Sequence, residues 1–268
     1  MSQVGKVVLG MIRLCFFVIF ISVQSVVVEQ DHNQNSDNRT IFGYPHLQIK
    51  TGQEIVHHRV PRGVFREQEF RWPSPTIPYE IGSKMSDKRR RDLKRGIEIL
   101  EEKTCLKFKQ RSKTYIPNDY IIIEDYGRDS ACNSMFAGRQ GGGQYINIGG
   151  CEREFSIIHE IMHALGFAHE HQRMDRDKYI EVRYNNIIAG LERQFDKLDT
   201  DTMGIPYDIH SVMHYGSHHG SIGSRPAIVS KIPGKKLQKY NELNDCDVFK
   251  INKLFKCKGK RYEKKCKL

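Results

Sequence analysis

With 268 residues, 38% of them hydrophobic and 28% charged, the chain can bury a sizeable core and needs neither metal nor disulfide merely to offset shortness. Its formal net charge of +11 favours acidic partners, such as an anionic matrix or an acidic substrate. Part of that excess lies in residues 256–267, which mix cations with two cysteines and lack interleaved aromatics beyond Tyr262, so they read as a basic tail and not as a nucleic-acid module.

At the amino end, Lys6 and Arg13 precede an apolar run over residues 14–23, and Val23-Gln24-Ser25 is a small-residue cleavage site, so residues 1–25 read as an export signal. The run is too short to span a bilayer because Arg13 and Gln24 bracket it. The mature protein is therefore expected outside the cell. Of the seven cysteines, Cys15 leaves with the signal, and the remaining six are an even number, as an oxidising compartment favours. Six cysteines allow 15 pairings, and spacing alone does not choose among them.

Residues 26–62 are polar and without periodicity. They carry the glycosylation sequon Asn38-Arg39-Thr40 and end in Arg59-Val60-Pro61-Arg62, a site for an arginine-cleaving protease in an exposed linker. They read as a pro-segment. From Gly63 the chain becomes compact in character. Residues 77–81 read as a short strand, with Pro78 placing it near an edge. Residues 86–103 read as a helix capped by Ser86, with Leu93, Ile97 and Leu100 on one face. Residues 120–123 and 144–148 read as strands, and 154–165 as a buried helix with Phe155, Ile158, Met162 and Leu165 inward. A further helical stretch is expected around residues 187–195. Strands and one helix first, then mostly helices and loops, indicate an α+β class.

The chemistry concentrates in HEIMHALGFAHE at residues 159–170. His159 and His163, four apart on a helix, lie about 40° apart around its axis, so both imidazoles project toward one point. Glu160 sits beside the first of them, within reach of water at a bound metal. Catalytic zinc takes three protein groups and keeps one open position. Gly166 can adopt positive φ, stop the helix and return His169 as the third ligand. One Zn²⁺ held by His159, His163 and His169, with Glu160 as general base, is the chemistry of metal-assisted peptide hydrolysis. Downstream, Met213 in Ser211-Val212-Met213-His214-Tyr215 stands where proteins with H-E-x-x-H-x-x-G-x-x-H have their Met-turn.

With these motifs the sequence resembles the astacin family of metalloendopeptidases, in the metzincin clan, over residues 63–257. Glu170 directly after the third histidine, His171-Gln172-Arg173 with Asp175-Arg176-Asp177, and Trp72 with Ile77-Pro78-Tyr79 carry the resemblance further. It implies a twisted mixed sheet with the active-site helix in an upper half, an irregular lower half after the third histidine, and a remaining tail at 258–268. It also implies disulfides Cys105–Cys257 and Cys132–Cys151, which leaves Cys246 and Cys266 to each other. Tyr215 would be a fifth zinc ligand that swings to stabilise the oxyanion. Glu170 would contact the amino terminus created at Gly63. Glu242, before Leu243-Asn244, would line the S1′ pocket, where the family often has a basic residue. One departure concerns latency: family pro-segments commonly carry F-x-G-D, whereas Phe42-Gly43-Tyr44 has no aspartate in register.

The partners implied are protein or peptide substrates and an arginine-cleaving activator. A binding protein on the same scaffold would lack Glu160, a ligand histidine or Tyr215, and all are present. A matrix or heparin binder rests on charge alone and does not exclude proteolysis.

Overall fold

A computed structural model of the chain describes residues 68–238, 241–258 and Cys266. The signal expected at 1–25, the pro-segment at 26–62 with Asn38, the 62/63 junction, and the 258–268 tail apart from Lys258 and Cys266 lie outside the described residues.

The first half is a five-stranded sheet overlaid by two helices. Strands β1 (Thr76–Ile81), β2 (Lys107–Gln110), β3 (Tyr120–Glu124), β4 (Asn133–Ser134) and β5 (Gly143–Asn147) take the order β2-β1-β3-β5-β4. All neighbours run parallel except β4, which is antiparallel to β5 at the rim. Helix α1 (Asp87–Lys103) links β1 to β2, and α2 (Glu154–Leu165) follows β5. Ser86 caps α1 by accepting from Arg89 N, while its own N–H and hydroxyl both donate to Asp125. The helices pack on each other and on the sheet around Ile77, Ile121, Ile123 and Ile146, meeting Leu93 and Leu100 of α1 and Ile157, Ile158 and Leu165 of α2. Each of these is essentially fully buried, which is worth about 2 kcal/mol per side chain.

Pro78 does not sit on an edge strand, because β1 lies between β2 and β3. Pairing with β3 starts only at Tyr79, and Gly82 N donates to Ile123 O. Strand alternation puts the Pro78 nitrogen on that same side, one step before the ladder begins. Its missing N–H therefore costs no sheet hydrogen bond.

After His169 regular structure becomes sparse. Strands β6 (Ile180–Val182) and β7 (Ile228–Ser230) pair antiparallel, and a second core gathers Ile180, Ile187, Phe195, Tyr207, Ile209 and Ile228. The helix expected around residues 187–195 does not form. Short 3₁₀ turns at Tyr184–Asn186 and Glu192–Phe195 flank a stretch whose backbone pairs elsewhere: Ile187 bridges Ser221, and Ile188 N donates to Gly220 O. The apolar spacing that resembled a helix face serves this second core instead. Conversely, a helix not anticipated, α3 (Asp245–Leu254), places Val248 and Ile251 in the first core. Asn244 caps it, accepting from Cys246 N and Asp247 N at 2.8 Å each. Disulfides join Cys105 to Cys257, Cys132 to Cys151 and Cys246 to Cys266.

Gly150, between β5 and Cys151, is needed for close approach: a Cβ there would lie 1.9 Å from the carbonyl oxygen of Ser130. Gly150→Ala should therefore destabilise the fold by about 2 kcal/mol or more through forced backbone displacement. Urea unfolding reads this directly, and a midpoint equal to wild type would refute it.

Candidate metal centre and active site

Helix α2 ends where Gly166 takes φ 109°, a left-handed conformation that strains any side chain with a Cβ. Its N–H donates to His163 O and Phe167 N donates to Met162 O, so the last helical carbonyls are satisfied while the chain turns back. Trp72 Nε1 closes the Ala164 carbonyl at 2.8 Å. This turn brings His169 to the two histidines of the helix.

The Nε2 atoms of His159, His163 and His169 lie 3.1–3.2 Å apart in all three pairings. A triangle of that size has a common point about 2 Å from each nitrogen, which is the Zn–N bond length. The opposite nitrogens are all engaged with acceptors. His159 Nδ1 lies 2.9 Å from Val212 O, His163 Nδ1 2.7 Å from Phe167 O, and His169 Nδ1 3.3 Å from Gln172 Oε1. Carbonyl oxygens accept only, so each Nδ1 carries the proton and each Nε2 presents a lone pair to the same point. Burial pushes the His163 imidazole down to about 4, and burial together with neighbouring imidazoles holds His169 well below its ordinary value. Three neutral rings with convergent lone pairs suit a divalent cation and not a proton. Among the described residues they are also the group of three or more His, Cys, Asp or Glu side chains placed to share an ion.

Glu160 is buried beside the triad, and one carboxylate oxygen accepts from Ser134 N of the rim strand β4 at 2.7 Å. Met213 is buried in the first core, and its carbonyl accepts from Glu170 N at 3.0 Å. Residues 212 and 213 thus hold both a ligand histidine and the residue after another. Tyr215 packs beside the centre, its ring centroid 4.4 Å from that of His169. Glu242 is exposed.

Two residues of this site lay beyond the sequence reading. Asp247 of α3, fully buried, accepts from Ser211 Oγ at 2.5 Å and Val212 N at 3.0 Å, and so fixes the turn whose carbonyl orients His159. Burial pushes its carboxyl up to about 6. Lys250, one turn on, donates to Glu170 Oε2 at 2.9 Å, while Arg173 and Asp208 N reach Oε1 at 2.9 Å. The signal available was Asn244-Asp245-Cys246-Asp247, a capping residue followed by acids in a first helical turn.

Residues 64–256 match the Astacin family of peptidases. Zinc metalloproteinase nas-13 of Caenorhabditis elegans is 37% identical over 202 residues, 74% of this chain and 44% of its own length. Zinc metalloproteinase nas-4 of the same organism is 34% identical over 232 residues, 83% of this chain and 72% of its own length. This chain spans about half the length of several of these relatives. Among solved structures, high choriolytic enzyme 1, a hatching enzyme zinc-protease from the Medaka fish Oryzias latipes, superposes with a TM-score of 0.65 at 33% identity. That match covers 71% of this chain and 96% of the fish protein.

Burial raises the Glu170 carboxyl, but Lys250 and Arg173 outweigh it and hold the group below its ordinary value of 4.5. A depressed carboxylate stabilises the fold above its unfolded value, and that contribution erodes only as pH falls through the lower folded value. Glu170→Ala should cost about 3 kcal/mol at pH 7, the low end for a broken buried pair, because Lys250 keeps Asp247 and Arg173 keeps Asp175. Urea unfolding at pH 7 and again below pH 4.5 should show the gap from wild type narrowing in acid. Equal stabilities at pH 7 would contradict it.

Proposed function

Because this chain belongs to the astacin family of peptidases, we propose that it is a secreted zinc endopeptidase that hydrolyses peptide bonds in proteins. The observation that carries this reading is the convergence of three imidazole lone pairs beside a buried carboxylate. A zinc ion held by His159, His163 and His169 would supply Lewis acidity to the scissile carbonyl and to water. Glu160, fixed through Ser134 N, takes the proton of the attacking water and passes it to the leaving amine. Tyr215 swings its hydroxyl to the developing oxyanion and donates a hydrogen bond there.

The protein is made with a signal at 1–25 and a pro-segment at 26–62, glycosylated at Asn38, and activated by cleavage after Arg62. Glu170 receives the new terminus at Gly63. In support, it lines a cavity of about 40 Å³ with Phe167, Thr200, Met203 and Lys250. Latency does not rest on an F-x-G-D aspartate, since residues 42–44 lack it.

On trypsin-activated protein, Glu160→Ala should lower casein cleavage by several orders of magnitude with zinc content still near one per chain. Comparable cleavage by that variant would end the assignment. Glu242, an exposed acid where a basic residue would favour acidic substrates, should give a preference for Lys or Arg after the scissile bond. Peptide-library profiling decides this, and a dominant aspartate at that position overturns it.

A further inference from the structure

Tyr215 is held between two imidazoles. His171 stacks on it with centroids 4.0 Å apart and planes 25° apart, and His219 stacks at 3.6 Å and 30°. Two rings on one face at those distances would overlap, so they occupy opposite faces. The two walls differ. His171 is fully buried, and its Nε2 engages Gln194 O at 3.0 Å, which fixes the plane of its ring. His219 is exposed, yet its backbone is tied on both sides: His219 N donates to Gly216 O at 3.1 Å, and Ile188 N donates to Gly220 O at 2.9 Å. Ser217 O further accepts from both Ala227 N and Ile228 N, at 2.8 and 3.2 Å. The loop bearing His219 is thereby docked onto the start of β7.

A ring confined by near-parallel walls moves easily within its own plane and poorly out of it. We propose that His219 is a positioning residue that, with His171, forms a slot confining Tyr215 to an in-plane swing toward the reacting carbonyl. The proposal rests on the oxyanion role given to Tyr215 above. Without the outer wall the phenol spreads over other rotamers, and fewer of them deliver the hydroxyl to the oxyanion. The consequence falls on kcat, because the contact is made only in the transition state, and leaves substrate binding nearly untouched.

The test uses the full chain, trypsin-activated and zinc-loaded, with a quenched fluorescent peptide substrate. His219→Ala should lower kcat on the order of tenfold, with KM changed by less than about twofold and zinc content unaltered. His219→Phe, which keeps a flat ring against Tyr215, should return kcat to within about twofold of wild type. In a Tyr215→Phe background, His219→Ala should produce no further loss, because its effect runs through the phenol. The proposal is overturned if His219→Ala leaves kcat unchanged, if its loss falls on KM, if His219→Phe fails to rescue, or if the loss persists in full without the Tyr215 hydroxyl. A Tyr215→Phe variant with wild-type kcat sinks the oxyanion role itself and this proposal with it. A Tyr215→Phe variant that is impaired while His219→Ala is not sinks the slot alone.

Discussion

Three ring nitrogens, each aiming a lone pair at one shared point, are packed 3.1–3.2 Å apart with no hydrogen between them. That arrangement is repulsive unless a cation lies among them, and the surrounding chain is arranged to sustain it. Each ring is held from behind by a carbonyl oxygen on a different segment: Val212, Phe167 and the side chain of Gln172. The tautomer is therefore dictated by acceptors that cannot donate, and all three lone pairs are aimed at the position a zinc ion would take.

Those acceptors are themselves secured at a distance in sequence. Val212 is held through its N–H by Asp247, and Met213 accepts from Glu170 N. Glu170 and Asp247 both face Lys250, at 2.9 and 3.8 Å. The nearer carboxylate is the more strongly stabilised of the two: Lys250 and Arg173 hold Glu170 below its ordinary value, Lys250 is raised by both carboxylates against the cost of burial, and burial pushes Asp247 up to about 6. In the irregular half, backbone carbonyls that no helix or sheet would satisfy are met by guanidinium groups instead. Arg173 donates to Ile205 O and Pro206 O, and Arg176 to His171 O and Phe195 O. The Arg-x-x-Arg spacing after the third histidine is thus a carbonyl clamp, which explains why so little regular structure can still hold a ligand in place.

What the sequence disclosed follows from how local each signal is. The helix over residues 154–165 and its stop at Gly166 were legible because a 3.6-residue period, two histidines at i and i+4, and a glycine needing positive φ all act within one segment. The helix after Ser86 was legible for the same reason. Residues 187–195 misled because an apolar period near that of a helix arose from long-range pairing with residues 220 and 221, which leaves no local trace. Pro78 misled because edge and interior strands differ only in partners. Asp247 and Lys250 were missed since their meaning depends on Ser211 and Glu170, 36 and 80 residues away. The Tyr215 slot was hidden in a plain Gly-Ser-His-His loop.

Helix α3 is the element on which these threads meet. Its first turn carries Cys246, bonded to Cys266, and Asp247, which holds the Met213 turn. Its middle carries Lys250 against Glu170, and Asn252 near its end accepts from Cys105 N just before Cys257 bonds Cys105. A covalent closure over 152 residues constrains the unfolded chain by about 5 kcal/mol in the loop-entropy picture. Its location matters more than its size. It fastens to the sheet a helix that reaches both the turn behind His159 and the carboxylate beside His169. Loosening α3 would therefore relax the support behind His159 and the anchoring of Glu170 beside His169 without touching a ligand, whereas the Cys132–Cys151 bridge secures the neighbourhood of Ser134, whose N–H orients Glu160. The imidazole cluster and the Glu160 carboxylate are stabilised through separate cross-links, so a disturbance of one need not carry into the other.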